Sequence, residues 1–411
     1  MRISLKPFWR REAGSAADGE SALVGAGAVR WLRSARPADA PVDAAAQWPD
    51  TEPHADTENA QANYQSALQA LAQRPGGPVA LSIRLPFCAA RCLFCDRDIL
   101  AAQPIDVIGS YAEALADEAA LLAQHIGRDR DVLQLHLGGG TANELSDSQL
   151  AALVEALQSA WRLPSDAEMS VECDPRRVTR QHLEMLRGLG FRHVSFGVAD
   201  FDITVQQAIG RRNSQALIDD VCMTAREAGF ERIQLELIVG LPHQSASSWR
   251  STLDRLIAMA PDRVALSCYQ HRPDQAPAQH AIDSAALPDS ALCSELRSMT
   301  SSAMLSAGYA PIGASQFVLD DDELALARPE GRLRRNLIGY TATPATPLLG
   351  LGAGAVGEVD GSMFWNHPAL PDWHAALREK QLPVARAAGV RRGLPPDRRS
   401  GRGQAALAVL S

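Results

Sequence analysis

From residue 79 onward, short apolar runs alternate with longer amphipathic stretches. The runs 79–85, 132–137, 168–172, 193–197, 233–238 and 263–268 read as strands of a buried sheet. Between them, stretches near 107–125, 147–161, 179–189, 214–228 and 246–259 carry the spacing of helices with one apolar face. Ser146, followed three residues later by Gln149, has the pattern of a capping box, and Gly190, Gly229 and Pro261 fall where helices should stop. Six strands joined by helical crossovers predict a parallel sheet with right-handed connections. A six-strand partial barrel and a doubly wound open sheet both satisfy the pattern. Another helix is expected over 61–73, before the turn at Pro75-Gly-Gly-Pro78, and one more over 289–307. Beyond about 275 the rhythm weakens, and 311–341 and 344–360 are Gly-rich and mixed.

The flanks differ in composition. Residues up to about 60 are rich in Ala, Asp, Pro and Glu without a period and read as loosely ordered. The tail from Gly389 is basic, rich in chain breakers and expected to be disordered. The reading divides the chain into an N-terminal extension (1–75), a core (76–275), a C-terminal region (276–385) and a tail (386–411). Of the 411 residues 46% are hydrophobic, enough to bury a large core, and the net charge is −8 with no sustained basic face. That argues against nucleic acid as a partner. No apolar run reaches the length of a membrane span, and the N-terminus lacks the apolar stretch of a signal peptide. Seven cysteines, three of them on one loop, do not form a disulfide framework, so the expected compartment is the cytoplasm.

Those three are Cys88, Cys92 and Cys95, spaced C-x3-C-x2-C just after the first strand. Three thiolates suit a [4Fe–4S] cluster with one iron open to a small molecule. Zinc is the competing reading and needs a fourth ligand, from Asp96, Asp98 or a distant histidine. Ligands of parallel α/β sheets bind beyond the C-terminal strand ends, where this loop lies. The next strands end in chemistry-bearing residues too. Gly138-Gly139-Gly140-Thr141 allows close backbone approach and offers N–H groups to a carboxylate. Glu172 and Asp174 follow on the third strand, as ligand contacts or as a salt bridge and a helix cap. Arg211 can clamp a carboxylate, whereas Arg212 reads equally as a solvated side chain. Glu236 should face the interior with a partner if Leu235 and Leu237 face the helices. His271 reads as structural, and Cys173, Cys222, Cys268 and Cys293 as ordinary buried thiols.

Taken in order, these motifs resemble the oxygen-independent coproporphyrinogen III dehydrogenase (oxidase) family of radical S-adenosylmethionine (SAM) enzymes. Leu85-Pro-Phe-Cys88, Gly138–Thr141, Glu172-x-Asp-Pro175, Gly240-Leu-Pro242, Ile312-Gly313 and Leu348–Gly352 are among its landmarks, and the resemblance covers roughly 79–380. It implies an α/β fold: a partial (β/α)6 radical SAM barrel with an N-terminal extension and a small C-terminal region. It implies that Cys88, Cys92 and Cys95 hold a [4Fe–4S] cluster and that Phe94, Gly139, Glu172 and Ile312 contact the SAM bound to it. Gly140, Thr141 and Arg211 match a second SAM site, where Glu236 stands for an aspartate. The implied reaction converts two propionates of a porphyrinogen to vinyl groups in haem biosynthesis. The implied partners are that tetrapyrrole and a reducing donor such as a flavodoxin or ferredoxin, with the protein a monomer. The chain departs from the family pattern at Ser82, Arg84, Arg97, Ala199 and Gln270. Two rivals remain on these grounds: a paralogue carrying out radical methyl transfer or other tetrapyrrole chemistry, and a haem-binding chaperone using His136 or His271.

Overall fold

A computed structural model describes residues 56–389. The loose N-terminal stretch expected from the sequence lies almost wholly outside them, and so does the basic tail from 390; residues 386–389, expected to be disordered, instead pair into a strand. The six expected strands all form: β1 (Val79–Leu85), β2 (Val132–Gly139), β3 (Glu168–Cys173), β4 (His193–Ala199), β5 (Arg232–Val239) and β6 (Arg263–Cys268). They pair in sequence order and in parallel. The crossovers are helices α2 (Ile105–Ile126), α3 (Asp147–Ala160), α4 (Arg180–Gly188), α5 (Ile203–Ala208) followed by α6 (Gln215–Glu227), and α7 (Ala246–Met259); α1 (Ala60–Ala72) precedes β1. The capping box at Ser146 and Gln149 is present in full.

Alternation along each strand divides the molecule. Leu135, Leu137, Val171, Val194, Phe196, Leu235 and Leu237 point to the helices and are buried in one continuous core. Their neighbours point into the concave face, and that lining is polar. At its N-terminal end it is plugged. Asp322, fully buried, accepts from Arg263 at 2.8 Å, and Glu168 accepts from Thr341 at 2.6 Å and Thr343 at 2.9 Å. The opposite end, where the cysteine loop leaves β1, carries the site.

The C-terminal region extends the sheet at both edges. It adds β7 (Tyr309–Ile312) and β8 (Gln316–Leu319) beyond β6, after α8 (Ser290–Ser306). At the other edge β9 (Leu348–Leu351) runs parallel to β1, followed by the antiparallel β10 (Val356–Val359), β11 (Ser362–Asn366) and β12 (Val384–Gly389). The result is one twelve-stranded sheet. These strands are short and interrupted by glycine, which is why the sequence period faded there. Glu118 of α2 ties this edge to the core by accepting from Gly352 N–H at 2.7 Å, Asn366 Nδ2 at 2.7 Å and Trp373 Nε1 at 3.1 Å. A buried carboxylate is tolerated because all its neighbours donate to it.

Candidate active site

Pro86 ends β1. Phe87–Cys88 then pairs with Leu100–Ala101, closing the cysteine loop on itself. Within it Cys95 N–H donates to Cys92 O at 3.2 Å, and Leu93 N–H ties the loop to the end of α5 by donating to Ile209 O at 3.0 Å. All three thiols are free; Cys92 is buried and the other two are half-buried. Burial, then the nearby Cys95 and Cys92, pushes the Cys88 thiol up to about 12. Thiols that mutually resist ionisation reverse that behaviour beside a bound cation, which deprotonates its sulfur ligands. Among the described residues, no three His, Cys, Asp or Glu side chains converge tightly enough for a single metal ion. A tetrahedral zinc holds its sulfurs about 3.8 Å apart, whereas sulfurs on three different irons of a cluster stand wider. The donor set fits a cluster.

The glycine run is packed against this loop. A Cβ on Gly140 would lie 2.2 Å from Phe87 O, and one on Gly138 2.4 Å from His136 Nε2 and 2.9 Å from the Glu172 carboxyl carbon. The close approach expected from the sequence is therefore real, but two of the N–H groups are not free. Gly140 N–H donates to Leu85 O at 2.6 Å and Thr141 N–H to Phe87 O at 2.9 Å. The run holds the cysteine loop in place. Thr141 Oγ1 is buried without a partner.

Glu172 and Glu236 both face the concave side, as strand alternation requires. Glu172 Oε2 accepts from Arg97 Nη1 at 2.9 Å, and its other oxygen lies 3.4 Å from His136 Nε2. Burial alone would raise its pKa, but Arg97 and His136 outweigh burial and hold it well below the carboxylate range. Glu236 is pushed up by burial and by the Glu172 charge. It accepts from Ser195 at 2.5 Å, Ser195 from Gln234 at 3.2 Å, and Gln234 from Gln316 at 3.1 Å. This chain links the carboxylate to the C-terminal strand β8.

Arg211 is nearly buried. It donates to Gly197 O at 2.6 Å and to Cys92 Sγ at 3.5 Å, and lies 3.7 Å from Asp174. Asp174 also caps the turn at Pro175–Arg177 and pairs with Arg176 at 2.6 Å. Arg212 is exposed.

The other expected residues divide. Phe94 packs against the small apolar cluster of Ala199, Val205, Ile209 and Leu241, and its carbonyl accepts from Gln279 at 3.1 Å. Ile312 is fully buried among Val318 and Leu324 at the β7–β8 edge, so its side chain presents no surface to a ligand. His136 bonds Ser170 at 2.9 Å and His271 bonds Tyr269 at 2.7 Å, each held by an internal partner. Two thiols expected to be buried are not: Cys268 is exposed because β6 outruns the core at its last two residues, and Cys293, on the first turn of α8, is half-buried. Arg84 donates to Ala353 O at 2.6 Å and also bonds Asp98 O, buckling the C-terminal edge to the cysteine loop. Sequence reasoning passed over Arg97, Ser170 and Gln234 as site residues. The alternation of β3 and β5 puts Ser170 and Gln234 on the same face as Glu172 and Glu236, and that signal was available.

The Radical SAM superfamily profile matches residues 82–256. Oxygen-independent coproporphyrinogen III oxidase of Synechocystis is 34% identical over 322 residues, 78% of this chain and 69% of the relative. The Escherichia coli enzyme of that name is 35% identical over 316 residues, 77% of this chain and 69% of the relative. The structure of coproporphyrinogen III oxidase from Escherichia coli, described as a radical SAM enzyme, superposes with a TM-score of 0.79 at 32% identity, covering 84% of this chain and 78% of the other. Fold and cysteine site together define a radical SAM enzyme. The chain belongs to the oxygen-independent coproporphyrinogen III oxidase family. That membership implies a [4Fe–4S] cluster and SAM. No helix among the described residues is long and apolar enough to cross a membrane.

Proposed function

We propose that this enzyme oxidatively decarboxylates propionate side chains of coproporphyrinogen III to vinyl groups. The observation that carries the reading is the length of the likeness. The superfamily profile ends at 256, yet identity near 34% runs over 322 residues and so takes in the part outside the shared core. Substrate choice resides there, since one core serves many chemistries.

Cys88, Cys92 and Cys95 would hold the cluster. When bound, it supplies the electron that cleaves SAM to methionine and a 5′-deoxyadenosyl radical. The chain's own groups position the reactants. Glu172 and the Gly139 carbonyl are acceptors suited to the SAM ammonium, and Phe94 offers an apolar wall. Arg211 places a positive charge against the Cys92 sulfur, which favours thiolate character and accumulation of negative charge. On the substrate, hydrogen-atom loss from the β-carbon breaks one C–H bond and forms 5′-deoxyadenosine. The carboxylate then leaves as CO2, the vinyl double bond forms, and one electron departs to an acceptor. A flavodoxin or ferredoxin is the class of donor that would feed the cluster. The test is whether 5′-deoxyadenosine formation under anaerobic, reducing conditions depends on coproporphyrinogen III. Formation that is indifferent to it would remove this substrate.

A second reading, a paralogue transferring methyl groups, is favoured by one feature. Arg211, matched to the second SAM site, is committed to Gly197, Asp174 and Cys92. A methylated tetrapyrrole in the same assay would establish it.

A further inference from the structure

Arg97 lies two positions beyond Cys95, inside the site. Its Nη1 donates to Glu172 Oε2 at 2.9 Å and to Gly139 O at 3.1 Å. On the reading that Glu172 and Gly139 receive SAM, these are the acceptors its α-ammonium requires: one carboxylate oxygen and one carbonyl, both facing a cationic N–H donor. A single guanidinium nitrogen already fills that position.

The geometry points to Arg97 as an internal stand-in for the SAM ammonium, which SAM must displace in order to bind. Arg97 thereby sets the affinity for SAM and keeps Glu172 paired in its absence. The side chain suits displacement. It is about half exposed (51%) and hangs from a loop, so its tip can leave without moving the sheet. The pairing also answers a cost. Glu172 stands near a second carboxylate, Glu236, and two half-buried carboxylates without a cation would repel. Glu236, two strands further along the sheet, attracts Arg97 as well and offers the released guanidinium a second carboxylate.

The test is equilibrium dialysis of the anaerobically reconstituted protein with two probes. SAM carries the ammonium; 5′-methylthioadenosine shares the adenosine and lacks the amino acid. Arg97→Ala is expected to tighten SAM binding about tenfold, the worth of a charge-assisted hydrogen bond no longer competing, and to leave 5′-methylthioadenosine unchanged. In a Glu172→Gln background the Arg97→Ala gain should disappear. The visible cluster absorbance of each variant checks that the loop remains intact. Weaker or unchanged SAM binding in Arg97→Ala, with Glu172→Gln itself impaired, would overturn the stand-in role. If Glu172→Gln binds SAM like the parent, the site reading beneath the proposal fails instead.

Discussion

Arg211 Nη1 lies 3.5 Å from Cys92 Sγ, with the same guanidinium anchored on Gly197 O at 2.6 Å. A fixed cation against a ligand sulfur stabilises the more negative, reduced state of a cluster. Arg211→Met is expected to retain the cluster and make its midpoint potential more negative by roughly 50–100 mV, about 60 mV for each tenfold change in a one-electron equilibrium. A redox titration followed by electron paramagnetic resonance measures this, and an unshifted potential would disconnect Arg211 from the cluster. Gly197 fits the arrangement, since a Cβ there would stand 3.2 Å from the Arg211 guanidinium.

The three loop cysteines should be separable from the rest by iron content. Cys92→Ala is expected to lose the brown chromophore and all SAM cleavage, because two remaining thiolates cannot hold a cluster. Cys268→Ser, at an exposed position on the end of β6, should bind iron like the parent. An intact [4Fe–4S] spectrum in Cys92→Ala would refute the ligand assignment.

Gly140 has no room for a side chain, with Phe87 O at 2.2 Å and Leu85 O at 2.7 Å from a Cβ placed there. Both obstacles are backbone, so neither can rotate away. Gly140→Ala should cost on the order of 2–4 kcal/mol and displace the cysteine loop. Thermal unfolding and iron stoichiometry should fall together. A variant with parental melting temperature and full iron would show the contact to be soft.

Much of this was legible in the chain. Six strands, their helices and the cysteine loop followed from alternation, capping residues and spacing, because each is fixed by a local rule. The inward turn of Glu236 followed from Leu235 and Leu237. The partners did not. Nothing in the order of residues says that Arg97 reaches Glu172 across 75 positions, or that Arg211 reaches Cys92 across 119. The C-terminal strands were missed for a different reason. Leu348–Leu351 gains its strand identity from pairing beside β1, and four residues carry too little period of their own.

Acid sensitivity should originate at the plugged end of the sheet. Burial first, then the Arg263 charge, holds His193 neutral and lowers its pKa, and its Nδ1 is buried without a partner. Burial would raise Glu323, but the Arg263 and Arg232 charges bring it down. Both groups bind fewer protons folded than unfolded, so stability rises with pH through their range. The His193 contribution is full above its ordinary 6.5 and is lost as pH falls below that value; the Glu323 contribution is lost below its ordinary 4.5. Denaturant unfolding of His193→Gln between pH 7 and pH 5 should show a flatter pH dependence than the parent. Parallel curves would place the acid-sensitive group elsewhere.

The most direct measurement is the mass of the tetrapyrrole product. Reconstituted protein, SAM, a low-potential reductant and coproporphyrinogen III are incubated without oxygen, and the product is resolved by mass spectrometry. The account predicts loss of CO2 and two hydrogens from each of two propionates, with 5′-deoxyadenosine formed alongside. Recovery of the starting porphyrinogen while SAM is being cleaved would contradict it.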